Sequence, residues 1–464
     1  MQVRICVAPS PGGVPLETGV RPLAATRAHD LTVTEVRLTP ILVADPPLLN
    51  TQGVHQPYTP RLIVEVVTAG GVTGVGETYG DTAYLDLARP LADALPGHRV
   101  TDLNALPALA ARVCGDSPDA TGTGAVDAAG LRGVRTADKL RRSVVSAVEV
   151  ACLDAWGKTA GLPVHALLGG KVRDRVDYSA YLFYRWAAHP GGRGETDDWG
   201  AALDPAGIVA QARRLADAHG FGSFKLKGGV FPSDEEIAAV RALAAAFPGK
   251  PLRLDPNGAW SVATSLRVAA ALGDTLEYLE DPAAGTGPMA EIAAALRAGS
   301  AAPLPLATNM CVTTFEEIPE AFTRGAVQVV LSDHHYWGGL RATCELAALC
   351  ATFGVGLSMH SNTHLGISLA AMTHAAAVVP RLDHACDTHY PWQTEDILTE
   401  RLAFHDGALA VSDAPGLGVT LDRDRLAALH RRWLDDDGAL RSRDDAAAMR
   451  RADPDWRVPA VPRW

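Results

Sequence analysis

The stretch FKLKGGVFPSDEEIAAVRALAAAFPGKPLRLDPNG, Phe224–Gly258, decides the fold. Two short apolar strands, FKLKGG and PLRLDPNG, flank an Ala/Leu-rich helical run, and strands joined through a helix run parallel. The same rhythm continues in both directions. VDYSAYLFY precedes it, and LEYLEDP, PLPLATNM, AVQVVLSDHH, VGLSMHSN and LDHACDTHY follow, which makes eight strand–helix units with a longer, Gly-rich first connection. Polar residues at the strand ends mark the period: Lys227, Asp255, Glu280, Asn309, Asp333, His360 and His389 are separated by 28, 25, 29, 24, 27 and 29 residues. Eight such units imply an α/β fold, a closed (β/α)8 TIM-like barrel, in which the C-terminal strand ends converge on the mouth where active sites lie.

The rest of the chain is consistent with that class. Its 464 residues suffice for one large domain with an accessory one, and 47% hydrophobic and 20% charged residues are ordinary for a globular enzyme. A net charge of −11 argues against nucleic acid or an anionic membrane as partner. No apolar run approaches the ~18 residues needed to cross a bilayer. Seven cysteines without a CxxC pattern point to a reduced, cytoplasmic protein. Residues 1–30, rich in Pro and Gly, read as a flexible tail rather than a signal peptide. Next, LTVTEVRLTPILVAD and RLIVEVVTAGGVTGVGETYG are strand-like, the second a hairpin about AGG, with the Pro-punctuated loop LLNTQGVHQPYTP between them. Helical patterns follow, interrupted by the Gly-rich DATGTGAVDAAGLRG. The expected organisation is therefore a tail over 1–30, an α+β unit over 31–170, the barrel over 171–400 and a mixed, charged segment over 401–464.

Within the first quoted strand, Lys225 and Lys227 alternate onto one face. Two such lysines usually mark a solvated face, but at a barrel strand end they face the mouth. At ~6 Å and an effective dielectric near 20 their repulsion is roughly 2–3 kcal/mol. That would favour a neutral amine on Lys227, leaving Lys225 to tune it and to hold an anionic end of a substrate. Asp255, Glu280 and Asn309 end three consecutive strands. One Asp there would be a helix cap, whereas three oxygen ligands in succession suit a hard divalent cation such as Mg2+. On the far side, Asp333 and His360 end the sixth and seventh strands, so that the carboxylate can hold the imidazole by one nitrogen. Lys227 and His360 then flank whatever the cation holds. A cation on a substrate carboxylate stabilises the charge left when the adjacent carbon loses its proton.

KLK, LDPN, LEDP, ATNM, an Asp on the sixth strand and HSN on the seventh resemble the enolase superfamily. FKLKGG, LDPNGAW, HSNTH, CDTHYPWQ and the C-terminal RSRDDAAAMR resemble, more narrowly, its glucarate dehydratase branch of acid-sugar dehydratases, from about residue 31 to the end. The resemblance implies a small-molecule acid-sugar substrate, Mg2+ on Asp255, Glu280 and Asn309, and two bases, Lys227 and His360, the latter held by Asp333 and able to protonate a leaving hydroxyl. It also implies substrate contacts from Lys225, Asn257, Ser361 and Asn362, with His55, Tyr181, His389 and Arg443 more remote, and a homo-oligomer. The flanking segments would fold together as an α+β capping domain that brings His55 and Arg443 over the mouth. Some relatives place a metal-ligating Glu several residues beyond EDP, where this chain has Thr286 in EDPAAGTGP, so Glu280 is the expected ligand. His334 and His335 receive no role.

The expected reaction is dehydration of D-glucarate to a keto-deoxy-glucarate. Galactarate or another hexarate, or an epimerase or racemase using the same Lys/His pair, are the alternatives. Superfamily members with a lysine on the sixth strand are disfavoured, because VVLSDHHYWGGL has none, and the first strand lacks the His-x-His of metal-dependent hydrolases. A non-catalytic binding protein has little need of two facing bases.

Overall fold

A computed structural model describes residues 31–115, 136–300 and 303–464. The N-terminal tail and the Gly-rich DATGTGAVDAAGLRG interruption therefore lie outside the described residues. The eight expected barrel strands are present: Arg175–Phe183, Phe224–Lys227, Leu252–Asp255, Tyr278–Glu280, Leu306–Thr308, Val329–Ser332, Gly356–Met359 and Cys386–Thr388. They pair in parallel in chain order, and the eighth pairs with the first. Between the seventh and eighth, the ring is bridged by Asp383 N donating to Leu357 O at 3.0 Å and Ser358 Oγ donating to Ala385 O at 2.9 Å. The barrel is thus nearly closed, as the sequence period predicts.

The strands are short because each need only cross the barrel wall. Tyr278, Ala307, Val329 and Leu331 form a small apolar plug separate from the main core between strands and helices. Register places Tyr181 beside Lys225, Lys225 beside Arg253 and Arg253 beside Tyr278 of this plug, then Phe183 beside Lys227 and Lys227 beside Asp255. Charged side chains therefore crowd into the C-terminal half of the barrel.

Before the barrel, strands Val33–Ala44, Tyr58–Thr68 and Thr73–Tyr79 form an antiparallel sheet with the Tyr58–Thr68 strand in the centre. The AGG turn closes its hairpin as expected. The long helix Ala137–Ala160 starts on Thr136, whose side chain accepts Lys139 N–H, and stops at Gly161 in the left-handed conformation (φ 68°). This helix packs on the third strand so closely that a Cβ at Gly74 or Gly76 would strike its backbone. The sequence LLNTQGVHQPYTP is more ordered than an open loop. It forms a two-residue ladder, Leu49–Asn50 with Gly53–Val54, and buries Asn50, His55 and Gln56.

The C-terminal segment divides its contacts. Strand Ala408–Ala410 pairs antiparallel with the start of the first barrel strand. Helix Arg423–Asp435 packs on Val33–Ala44, and helix Asp445–Ala452 packs on Gly53–Val54. Asp445 fixes the buried turn, accepting Asn50 Nδ2 at 2.7 Å and Gln56 N at 3.2 Å.

Candidate active site

All the residues singled out at the strand ends are buried in one place, the C-terminal end of the barrel. The Lys225 ammonium lies 2.7 Å from Glu280 Oε2, 2.5 Å from Asp387 Oδ2 and 4.0 Å from Asp255 Oδ2, with the Tyr181 ring centroid at 4.6 Å. Burial would lower its pKa, but Asp387 and Glu280 outweigh that and hold it above the ordinary lysine value. The expectation that Lys225 acts on Lys227 as an uncompensated like charge is therefore corrected, since three carboxylates surround it. Lys227 Nζ instead donates to Asp255 Oδ2 at 2.5 Å.

Asp255 is shared further, its Oδ1 accepting Asn257 N at 2.9 Å and Asn257 Nδ2 at 3.0 Å. This local turn holds Asn257 at φ 49°, and Asp281 (φ 36°) and Thr363 (φ 50°) also sit left-handed at the mouth. Of the four described non-glycine residues with positive φ, these three lie beside the strand ends, and strain concentrates at sites whose geometry is over-determined. Burial and the neighbouring Asp255 push the Glu280 carboxyl well above the ordinary range. Glu280 Oε1 and both amide atoms of Asn309 have no hydrogen-bond partner among the described residues. Buried oxygens without partners are costly, and with Asp255 these are hard donors on three adjacent strands. The set fits a divalent cation of the Mg2+ type.

Across the ring, Asp333 Oδ2 lies 3.2 Å from His360 Nδ1, and His360 Nε2 has no partner among the described residues. Burial, with help from Lys225 and Lys227 and against Asp333, brings His360 down to about 4, so its imidazole is neutral at pH 7. Burial alone would raise Asp333, but His335 and His364 outweigh it and hold the carboxyl well below its usual range. The more remote residues also converge. His55 Nδ1 is 3.2 Å from Asp45 Oδ2, the His55 and His389 rings stack at 6.3 Å, and Arg443 pairs with Asp445 at 3.1 Å and Asp45 at 3.7 Å. Burial brings His389 down to about 3. Tyr181 OH donates to Asp387 at 3.3 Å, and Ser361 Oγ accepts His389 N at 3.4 Å. Asn362 is buried in the same seventh-strand loop.

Sequence reading missed four carboxylates here. Asp387 bridges Lys225, Tyr181 and Arg253, and the alternation of CDTHY, which puts it on one face with His389, was the available signal. Asp281 accepts Thr308 Oγ1 at 2.5 Å and Asn309 N at 2.9 Å, and burial and Asp255 push it up to about 7. Asp45 and Glu77 come from the N-terminal sheet, and no local pattern marked them.

Comparison with known proteins identifies this arrangement. Residues 33–169 match the mandelate racemase/muconate lactonizing enzyme N-terminal domain, and residues 207–425 match the enolase C-terminal domain-like family. A protein of Streptomyces coelicolor named "Probable glucarate dehydratase" is 75% identical over 437 residues, covering 94% of this chain and all of the relative. The chain belongs to the enolase superfamily. Among superfamily structures, an enolase from Thermobispora bispora complexed with magnesium and formate is 54% identical, with TM-score 0.87 over 94% of this chain and 100% of that one. One from Pseudomonas fluorescens with bound magnesium, potassium and tartrate is 46% identical, with TM-score 0.86 over 93% and 99%. More distant members include muconate cycloisomerase 1 of Rhodococcus opacus, 28% identical over 85% of this chain and 97% of the relative. Among the described residues, no helix of this superfamily member is long and apolar enough to cross a membrane.

Proposed function

We propose that this enolase-superfamily enzyme is a hydro-lyase that dehydrates an acid sugar, D-glucarate first among hexarates, to a keto-deoxy-glucarate. What supports the reading is that Lys227, ending the second strand, and His360, following the seventh and paired with Asp333 after the sixth, are buried at one mouth, where each could move a proton. The 75% identity to a probable glucarate dehydratase supports the substrate. Asp255, Glu280 and Asn309 would hold Mg2+, which when bound supplies positive charge for the carboxylate beside the reacting carbon.

The chain's own groups then divide the work. His360, neutral with its hydrogen on Nδ1 toward Asp333, offers the Nε2 lone pair to the proton beside the carboxylate. Lys227, whose ammonium donates to Asp255, would serve the opposite face, with Asp255 among the residues that would hold the cation. The carbon–hydrogen bond breaks, the electron pair expels the β-hydroxyl, and that group leaves as water with a proton from the imidazolium. The enol so formed tautomerises to the ketone. Lys225 and Asn257 would orient the reacting carboxylate and a neighbouring hydroxyl, with Ser361 and Asn362 beside them. His55, Tyr181, His389 and Arg443 would face the far end, where a second carboxylate fits the Arg443 guanidinium.

The test is the purified protein with Mg2+ against hexarates and mono-acid sugars, assayed for 2-keto acid, with parallel proton NMR in D2O. Keto acid from D-glucarate, lost in Lys227→Ala and His360→Ala while Mg2+ binding persists, is expected. Two facing bases also favour a second reading, and deuterium exchange without keto acid would move the function to epimerisation. Near-wild-type turnover in either variant rules out the two-base assignment.

A further inference from the structure

The sixth-strand loop SDHHYWGG, Ser332–Gly339, carries two imidazoles that the proposed reaction does not use. Both are buried. Around Asp333, the His334 and His335 rings lie 4.0 Å apart at a tilt of 35°, His364 Nε2 lies 3.5 Å from Asp333 Oδ2, and Tyr79 OH lies 3.3 Å from it. Ligand-type atoms of Asp333, His334 and His335 lie within 4.8 Å of one another, as in a metal site. His335, however, has neither nitrogen to give. Its Nδ1 is 2.7 Å from Asp333 Oδ1, and its Nε2 is 3.0 Å from Glu77 O and 3.1 Å from Ser368 Oγ.

A carboxylate only accepts, so His335 Nδ1 carries a hydrogen toward Asp333. The His335 backbone N–H donates to the same Oδ1 at 3.0 Å. Two donors from one residue thus pin Oδ1, and Oδ2 is the oxygen left for His360 Nδ1. We propose that His335 is a positioning residue for His360: it anchors Asp333 through Oδ1, so that Oδ2 holds His360 in the Nδ1–H tautomer with Nε2 toward the mouth. The anchor is itself held from the N-terminal sheet. In this tautomer His335 Nε2 accepts from Ser368 Oγ at 3.1 Å, and Glu77 of the sheet accepts the Ser368 and Leu365 backbone N–H groups and the Arg61 guanidinium with its carboxylate. The strand Thr73–Tyr79 therefore bears on the orientation of the proposed base without touching substrate.

The role assigned to His360 rests on the proposed function, so the test needs a readout free of substrate. Histidine-selective 15N NMR of the whole protein reports which ring nitrogen of His360 bears hydrogen, its signals being assigned by their loss in His360→Asn. Wild type is expected as the Nδ1–H form. His335→Phe, which keeps ring bulk and removes both nitrogens, is expected to mix the tautomers and to lower kcat for keto-acid formation about 10–100-fold with little change in KM. His335→Asn, whose amide can still donate near the Nδ1 position, is expected to retain the tautomer and recover most of kcat; it also decides the matter if His335→Phe does not fold. An unchanged His360 tautomer in a folded His335→Phe protein overturns the proposal, as does a His335→Asn protein that folds but loses the Nδ1–H form. Absence of keto acid with every acid in wild type would overturn the proposed function instead, leaving the tautomer result to judge His335.

Discussion

At the scale of single residues, the site is a set of charges each held by groups from elsewhere in the chain. Asp45 shows this at the far end of the mouth. It accepts His55 Nδ1 and Thr59 Oγ1, the latter at 2.7 Å, and attracts Arg443, although it lies just past strand Val33–Ala44 and outside the barrel. Burial would raise its carboxyl, but His55 and Arg443 outweigh that and hold it well below the ordinary value. Asp45→Asn keeps the volume and loses the charge, so His55 is no longer fixed and Arg443 loses one partner. If these groups bind the second carboxylate, KM for D-glucarate should rise about 10–100-fold, with a smaller change in kcat and little change for a mono-acid sugar. Steady-state kinetics on both substrates check this, and equal losses on both would remove Asp45 from any role in diacid selection. Lys227, Asp255, Glu280, Asn309, Asp333 and His360 were legible in the sequence because each ends a strand of a periodic unit. Asp45 and Glu77 were not, because besides near partners such as His55 and Arg61 they depend on residues nearly 300 or more positions away, such as Leu365 and Arg443.

Between elements, the same reliance on distant partners decides how the fold holds the mouth. The eight strands were readable from alternation and spacing alone, since each strand–helix unit is a local object. Their junctions were not. Glu149, inside the long helix Ala137–Ala160, is buried beside the first residues of helix Leu340–Phe353. Its carboxylate lies against the residue before that helix, so Gly339 can carry no side chain there. Burial pushes Glu149 up to about 7. A carboxyl whose folded pKa lies above its unfolded one near 4.5 contributes stability below the unfolded value, and that contribution is lost as pH rises through about 7. The unfolding midpoint should therefore fall between pH 5 and 8, each such group adding a slope of at most about 1.4 kcal/mol per pH unit. Glu236, also pushed up to about 7 by burial, shares that slope. Glu149→Gln imitates the neutral carboxyl at nearly the same volume, so its midpoint should vary less with pH and exceed wild type above pH 7. Thermal unfolding across this range measures it, and parallel curves for the two proteins would refute the account.

For the whole molecule, the question is how the N-terminal sheet and the barrel, separate in the chain, act as one body at the mouth. Arg61 and Glu77 on adjacent sheet strands form a fully buried pair at 2.6 Å. Glu77 Oε1 also accepts Leu365 N at 2.9 Å, and Oε2 accepts Ser368 N at 2.9 Å, at the start of barrel helix Gly366–Val378. Lys225, His360 and the proposed metal ligands all belong to the barrel, yet Tyr79 OH ties Asp333 to the end of this sheet strand, and His335 reaches Glu77 through Ser368. Glu77→Gln tests the connection, because every group around both carboxylate oxygens is a donor and the new amide NH2 has no acceptor to meet. Removing one partner of a buried ion pair typically costs about 3–5 kcal/mol, here spread over the docking of the sheet as well as Arg61. The variant should unfold at lower temperature and expose the Thr73–Tyr79 and Leu365–Ser368 amides to faster hydrogen exchange, while amides of the barrel plug around Leu331 keep their protection. Its turnover should fall with the loosening of Asp333, even though residue 77 is not in contact with substrate. Protection lost uniformly across barrel and sheet would instead show that the two unfold as one unit and that Glu77 has no special place at their junction.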